Sequence, residues 1–114
     1  MILLVDDDES VRETSADMLQ ELGYRVQQAQ SGKQALEMLE QTGFDVMVTD
    51  IRMPEMSGLE LSDLASSRHS GLKIILMSGF FQPQALHRRF LQKPFRTYDL
   101  DRAIQAELEP VETN

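Results

Sequence analysis

Acidic and polar residues in this chain stand directly after short apolar runs. Asp6 and Asp7 follow the first run, and Asp50 follows a later one. Ser78 and Lys93 close two further runs in the same way. Ligands of open parallel sheets bind at the carboxyl ends of the strands. If the four runs are neighbouring parallel strands, three carboxylates, a hydroxyl and an ammonium group meet in one cleft, which predicts a divalent-metal and phosphoryl site.

The three carboxylates predict a bound cation. On adjacent strand ends, Asp6, Asp7 and Asp50 are expected within about 5 Å of one another, where each like-charge pair costs on the order of 1–3 kcal/mol. Lys93 offers one compensating positive charge. Mg²⁺ offers two, and it accepts one or two carboxylates together with waters and phosphate oxygens. Charge balance therefore implies a bound metal, and magnesium is the cofactor that fits this donor set.

A carboxylate beside a metal can attack phosphorus and form an aspartyl phosphate. Asp50 stands alone after a central strand, whereas Asp6 and Asp7 form a pair after a neighbouring strand. This placement predicts Asp50 as the nucleophile and the pair as the metal-holding residues. The Lys93 ammonium and the Ser78 hydroxyl are then available to the outer phosphoryl oxygens.

Apolar runs alternate with segments of helical periodicity, which is typical of an α/β domain built from five β–α units. The runs at 46–49 and 73–77 are uniformly apolar, as in strands buried on both faces. Two capping boxes predict helix starts with Ser10 and Ser31 as N-caps. Thr97 is predicted as the N-cap of the last helix.

Length, composition and charge limit the possible functions. The chain has 114 residues, of which 41% are hydrophobic and 26% charged, as in one globular domain. Its net charge is −8, so direct nucleic-acid binding by this domain is not expected. No apolar run approaches the roughly 18 residues of a membrane span, so no membrane contact is expected. Cysteine is absent, which fits a cytoplasmic location.

In four blocks the chain resembles a response-regulator receiver domain. The blocks are Val5-Asp6-Asp7, then Asp50 with Met53-Pro54 and Ser57-Gly58-Leu59, then Ser78-Gly79, and last Lys93-Pro94-Phe95. The resemblance spans residues 1–108 and leaves 109–114 as a C-terminal tail or the start of a linker. It implies a flavodoxin-like (CheY-like) α/β fold with a doubly wound, five-stranded parallel sheet in the order 2-1-3-4-5.

The resemblance implies a phosphoacceptor domain of a two-component phosphorelay, which catalyses only its own phosphorylation and dephosphorylation. A phosphohistidine on a sensor histidine kinase or a histidine phosphotransfer domain is the implied donor to Asp50. The resemblance also implies that Asp7 ligates Mg²⁺ directly, Asp6 mainly through water, and Arg52 through its backbone carbonyl. The Lys93–Pro94 peptide bond is expected to be cis.

The resemblance also implies a conformational switch. Ser78 would move toward the phosphoryl group, and Phe90, at the position of the family's switch aromatic, would rotate inward to fill the vacated space. Simple core packing is an equal alternative for Phe90, and a strand-end cap is an alternative for Ser78.

The connection between Ser78 and Phe90 is shorter than in most receivers, which predicts a shortened or absent fourth helix. Receivers commonly dimerise through the face that contains this helix, so a monomer is expected. The shortening resembles the receivers of hybrid sensor histidine kinases. A stand-alone receiver and a piece of a longer protein both fit the sequence.

Two other functions fit part of the pattern. Phosphatases of the haloacid-dehalogenase type place D-x-D after the first strand, which matches Asp6-Asp7-Asp8 with Asp6 as nucleophile, but the chain lacks room for a cap domain. A pseudo-receiver that only binds proteins is the other alternative, and the intact set of Asp6, Asp7, Asp50 and Lys93 argues against it. The identity of the phosphorylated aspartate separates the first alternative from the receiver interpretation.

Overall fold

One parallel sheet organises the molecule. The computed structural model describes residues 1–80 and 87–109. The strands lie in the order β2-β1-β3-β4-β5, which confirms the predicted topology. They are β1 (Ile2–Val5), β2 (Val26–Ala29), β3 (Val46–Asp50), β4 (Lys73–Ser78) and β5 (Arg89–Gln92). The helices of the described residues are α1 (Glu9–Glu21), α2 (Gly32–Gln41), α3 (Gly58–Arg68) and α4 (Thr97–Leu108).

Two predictions concern residues that lie outside the described ranges. The predicted shortened helix between Ser78 and Phe90 lies largely at 81–86, outside the described residues. Most of the predicted tail, 110–114, also lies outside them. Within 1–80 and 87–109, no helix has the length and apolar character that crossing a bilayer requires.

The sheet separates two apolar layers. Leu3 and Val5 of β1 pack in one layer with residues of α2 and α3. Ile2 and Leu4, which point to the opposite face, pack in the other layer with residues of α1 and α4. Every residue of β1 and β3 is buried, as expected for central strands that are covered on both sides. The buried centre of the sheet therefore carries the two strand ends at which Asp6 and Asp50 lie.

Helix α1 begins earlier than the sequence predicted. Its N-cap is Asp8, whose Oδ1 accepts a hydrogen bond of 3.1 Å from the backbone N–H of Val11. The predicted N-cap, Ser10, lies inside the helix. Both residue types cap helices well, but Asp8 also places a negative charge at the positive end of the helix dipole. The capping-box interpretation of Ser10 was therefore wrong.

The other two predicted caps had different outcomes. Ser31 caps α2 as predicted, since its hydroxyl accepts a hydrogen bond from the N–H of Gln34. Thr97 is the first residue of α4 and not its N-cap, which is Arg96. The carboxylate of Asp99 accepts a 3.0 Å hydrogen bond from the backbone N–H of Arg96, and the N–H of Asp99 donates to the backbone carbonyl of Arg96 at 3.0 Å, so α4 begins without a capping hydroxyl.

Candidate functional site

Strand register places the predicted site residues at one edge of the sheet. Val5 pairs with Thr49, so Asp6 and Asp50 lie level at the ends of the adjacent strands β1 and β3. On the other side, β4 lies between β3 and β5 and ends at Ser78. Lys93 follows directly after β5. The carboxyl edge of the sheet thus collects the residues that the sequence placed after separate apolar runs.

The acidic residues form one cluster. Asp6, Asp7 and Asp50 each offer a carboxylate oxygen, and these three atoms lie within 4.8 Å of one another, which confirms the predicted spacing. Asp6 and Asp50 are buried, and Asp7 is exposed. The Nζ of Lys93 lies 2.8 Å from Oδ2 of Asp6 and 3.1 Å from Oδ1 of Asp50. The Lys93 ammonium group therefore contacts two of the three carboxylates in the cluster.

Asp6 has both carboxylate oxygens engaged. Its Oδ1 accepts a 3.0 Å hydrogen bond from the backbone N–H of Asp8, and its Oδ2 accepts from Lys93. Only 1% of its side chain is exposed, against 11% for Asp50. Asp50 is therefore the more accessible of the two buried carboxylates.

The electrostatics of the site follow from burial and charge. Burial raises the pKa of Asp50 above its ordinary value of 3.8; Lys93 counteracts this, and the charges of Asp6 and Asp7 add to the increase. For Lys93, burial alone would lower the pKa. The hydrogen bond to Asp6 and the two neighbouring carboxylates outweigh burial, so the pKa of Lys93 is raised above 10.5. The lysine is charged at neutral pH, and burial makes the ionised form of Asp50 less favourable than in a solvent-exposed carboxyl group.

Backbone contacts hold the loop that follows Asp50. The N–H of Gly58, the first residue of α3, donates a 2.8 Å hydrogen bond to the carbonyl of Ile51. A Cβ atom at position 58 would overlap the carbonyl oxygen of Asp50 and lie 2.9 Å from Cα of Ile51. Only glycine lets α3 start this close to the end of β3.

Ser78 and Phe90 lie in neighbouring strands, β4 and β5. Ser78 is 1% exposed, and its hydroxyl accepts a 3.1 Å hydrogen bond from the backbone N–H of Phe80. Phe90 pairs with Leu76 and packs, partly buried, against the apolar layer that contains Leu76. Leu76 and Ser78 point to the same face of β4. The two predicted switch residues therefore border the same layer of the molecule.

Arg52 lies in the loop after β3, and its side chain is exposed. Its guanidinium carbon is 4.8 Å from the ring centroid of Phe80, two residues beyond Ser78. The sequence analysis did not identify Phe80 as part of this edge, although both residues stand two positions after a predicted site residue. The predicted cis conformation of the Lys93–Pro94 peptide bond is confirmed.

Arg12 was also missed by the sequence analysis. Its Nη1 donates a 2.8 Å hydrogen bond to the backbone carbonyl of Asp6, and its Nε donates to Oε1 of Gln28 at 3.0 Å. The guanidinium group thus links the loop after β1 to β2. The sequence did not indicate this role, because an arginine one turn into a helix is most often a surface charge.

The donor set fits magnesium. Hard carboxylate oxygens are the ligands that Mg²⁺ takes from proteins, and a divalent ion balances the charge that Lys93 leaves uncompensated. The cluster combines three carboxylates with a lysine and a hydroxyl at the same sheet edge. Fold and site together define a class: an α/β domain with an acidic, lysine-containing cleft at the carboxyl edge of its parallel sheet.

Comparison with known proteins agrees with this class. The family model of the response regulator receiver domain matches residues 2–105. The chain belongs to this family, whose members are signalling domains of two-component systems. The resemblance seen in the four sequence blocks is thereby confirmed.

Two relatives come from Brucella abortus. Sensor kinase CckA is 36% identical over 117 residues, which cover 95% of this chain and 12% of the kinase. Response regulator receiver protein CpdR is 35% identical over 111 residues, which cover 91% of this chain and 92% of that protein. The chain thus matches a small part of a kinase and nearly the whole of a receiver protein.

Among solved structures, a similar one is the response regulator protein TrrA from Thermotoga maritima in complex with Mg(2+)-BeF. It superposes with a TM-score of 0.87 at 29% identity and covers 94% of this chain and 97% of TrrA. The sheet topology is therefore that of receiver domains.

Proposed function

We propose that Asp50 accepts a phosphoryl group from a phosphohistidine on a sensor histidine kinase or histidine phosphotransfer domain, with Mg²⁺ bound beside it. The observation that supports this most directly is the meeting of Asp6, Asp7 and Asp50 within 4.8 Å beside the Lys93 ammonium. Asp6, Asp7, Asp50 and the backbone carbonyl of Arg52 are the proposed metal ligands. The ion would neutralise charge on the carboxylates and the phosphoryl oxygens.

The transfer makes one bond and breaks one bond. A carboxylate oxygen of Asp50 attacks phosphorus, and the P–N bond to the donor imidazole breaks, with the electron pair going to nitrogen. Lys93, which already contacts Asp50 at 3.1 Å, is placed to donate a hydrogen bond to an outer phosphoryl oxygen. The positive charge that it keeps at neutral pH suits this role.

Ser78 and Phe90 are the proposed switch. The Ser78 hydroxyl accepts from Phe80, so its own proton is available to a phosphoryl oxygen. Movement of Ser78 toward that oxygen opens space on the face of β4 that borders Phe90, and inward rotation of the ring fills it. The phosphoryl group thus shifts a two-state packing equilibrium.

Asp50 fits the role of nucleophile better than Asp6, the nucleophile of the phosphatase alternative. Both oxygens of Asp6 are hydrogen-bonded and its side chain is almost fully buried. The proposal takes residues 1–108 as the receiver domain, in the cytoplasm and monomeric. The long sensor kinase and the short receiver protein among the relatives leave both the hybrid-kinase and the stand-alone arrangements open.

Phosphorylation with acetyl phosphate and Mg²⁺ tests the proposal. Intact-mass spectrometry is expected to show one phosphoryl group on the parent protein and none on Asp50→Asn. Asp8→Asn is the matched control, because Asp8 is an exposed helix cap of the same chemical type. Labelling of Asp50→Asn at the parental level would contradict the assignment, and loss of label only in Asp6→Asn would favour the phosphatase alternative.

A further inference from the structure

An exposed aromatic side chain lies at the rim of the site. Phe80 follows β4 by two residues and is 61% exposed. Its ring lies under the guanidinium group of Arg52, at 4.8 Å from the guanidinium carbon to the ring centroid. A cation over an aromatic face at this distance is a cation–π pair.

The Arg52–Phe80 pair joins two loops that carry different parts of the site. Arg52 lies two residues after Asp50, and Phe80 lies two residues after Ser78. Strands β3 and β4 are neighbours in the sheet, so the pair bridges adjacent strand ends. A side-chain contact thus connects the loop of the nucleophile to the loop of the hydroxyl.

The backbone of Phe80 acts directly on Ser78. Its N–H donates a 3.1 Å hydrogen bond to the Ser78 hydroxyl, which is buried. When a hydroxyl oxygen accepts a hydrogen bond on one side, its own proton can point only in the remaining directions. Whatever fixes the position of the Phe80 backbone therefore also fixes the direction in which Ser78 can donate.

We propose that Arg52 and Phe80 are positioning residues, which clamp the loop after β4 to the loop after β3 and so orient the Ser78 hydroxyl toward a phosphoryl oxygen. The proposal rests on the proposed function of Asp50 and adds to it. The clamp acts through Ser78 and touches neither the nucleophile nor the phosphoryl group. It makes this hydroxyl dependent on a side chain from the opposite loop.

Binding of beryllofluoride in the presence of Mg²⁺, measured by isothermal titration calorimetry, provides the test. Arg52→Gln and Phe80→Leu are each expected to weaken binding by roughly threefold, the size of an exposed cation–π pair. The double variant is expected to be no weaker than either single variant, because each change already breaks the clamp. Arg52→Lys and Phe80→Tyr keep a cation and an aromatic face, and are expected to restore most of the affinity.

The Ser78→Ala background separates a positioning role from a merely structural one. There, Phe80→Leu is expected to leave beryllofluoride affinity unchanged, since no hydroxyl remains to be oriented. An equal loss in the parent and Ser78→Ala backgrounds, or additive losses for Arg52→Gln and Phe80→Leu, would overturn the proposal. Failure of the unmodified protein to bind beryllofluoride would instead reject the proposed function, and the clamp with it.

Discussion

The Nζ of Lys93 lies 2.8 Å from Oδ2 of Asp6, although 87 positions separate the two residues in the chain. The same ammonium group contacts Asp50 at 3.1 Å. One cation thus compensates two buried carboxylates from adjacent strands. The stability of the metal-free protein is therefore expected to depend on this lysine.

Lys93→Met is expected to destabilise the metal-free protein by about 2 kcal/mol, because it leaves Asp6 with an unpaired buried charge. Urea unfolding at pH 7 measures the loss. Lys73→Met is the matched control, since Lys73 is exposed at the start of β4, at the opposite edge of the sheet. Millimolar Mg²⁺ is expected to recover part of the loss in Lys93→Met. Equal stability of the two variants would show that the lysine does not offset the acidic cluster.

Asp50→Asn is expected to stabilise the metal-free protein at pH 7 by about 1 kcal/mol, or a Tm increase of roughly 4 °C. The folded state raises the pKa of Asp50, first through burial, so it binds this proton more tightly than the unfolded chain does. The contribution of the Asp50 carboxyl group to the free energy of unfolding therefore falls as pH rises from 3.8 through the folded-state pKa. The advantage of the asparagine is therefore larger at pH 7 than at lower pH, and it disappears on acidification toward 3.8.

Thermal unfolding of both proteins between pH 4 and pH 7 measures this difference. The proposed Mg²⁺ ion would bind the native parent protein and neutralise the same repulsion, so saturating magnesium is expected to reduce or reverse the advantage of Asp50→Asn. A difference in Tm that is constant across this pH range would contradict the assigned electrostatics.

The sequence predicted which residues meet at the sheet edge, because these residues stand at the ends of apolar runs. Once the five runs form a parallel sheet, Asp6, Asp50, Ser78 and Lys93 must reach the same edge, so neither side-chain detail nor loop geometry was needed. The choice between Asp8 and Ser10 as N-cap could not be made in this way. Both are good caps, and the exact end of β1 together with the helix dipole decided between them.

The contacts made by long side chains also could not be predicted from the sequence. Arg12 reaches the Asp6 carbonyl from α1, and Arg52 reaches Phe80 from a neighbouring loop. Each contact depends on a rotamer and on the distance between two elements. Residue type and spacing specify neither quantity, so these parts of the site appear only in the three-dimensional structure.

Gly58→Ala is expected to impair both folding stability and metal binding. The added Cβ would overlap the Asp50 carbonyl and crowd Ile51, so α3 must move away from the end of β3. Overpacking of this kind costs about 1–3 kcal/mol. Gly71→Ala is the control, because nothing lies within 4 Å of a Cβ at that position. Urea unfolding compares the two variants, and equal stability would refute the steric argument.

Arg12→Met tests whether the backbone of the acidic loop needs an anchor. The guanidinium group ties the Asp6 carbonyl to Gln28 of β2, and methionine preserves the aliphatic stem without the donors. Loss of these hydrogen bonds is expected to weaken magnesium affinity about fivefold, because Asp6 and Asp7 are then held less firmly for the metal.

Arg25→Met is the control for the Arg12→Met variant. It changes the net charge equally from an exposed position just before β2 and is expected to leave magnesium affinity within about twofold. Magnesium titration by calorimetry compares them. Equal weakening in both variants would mean that Arg12 acts only through its long-range charge, and would remove the anchoring role.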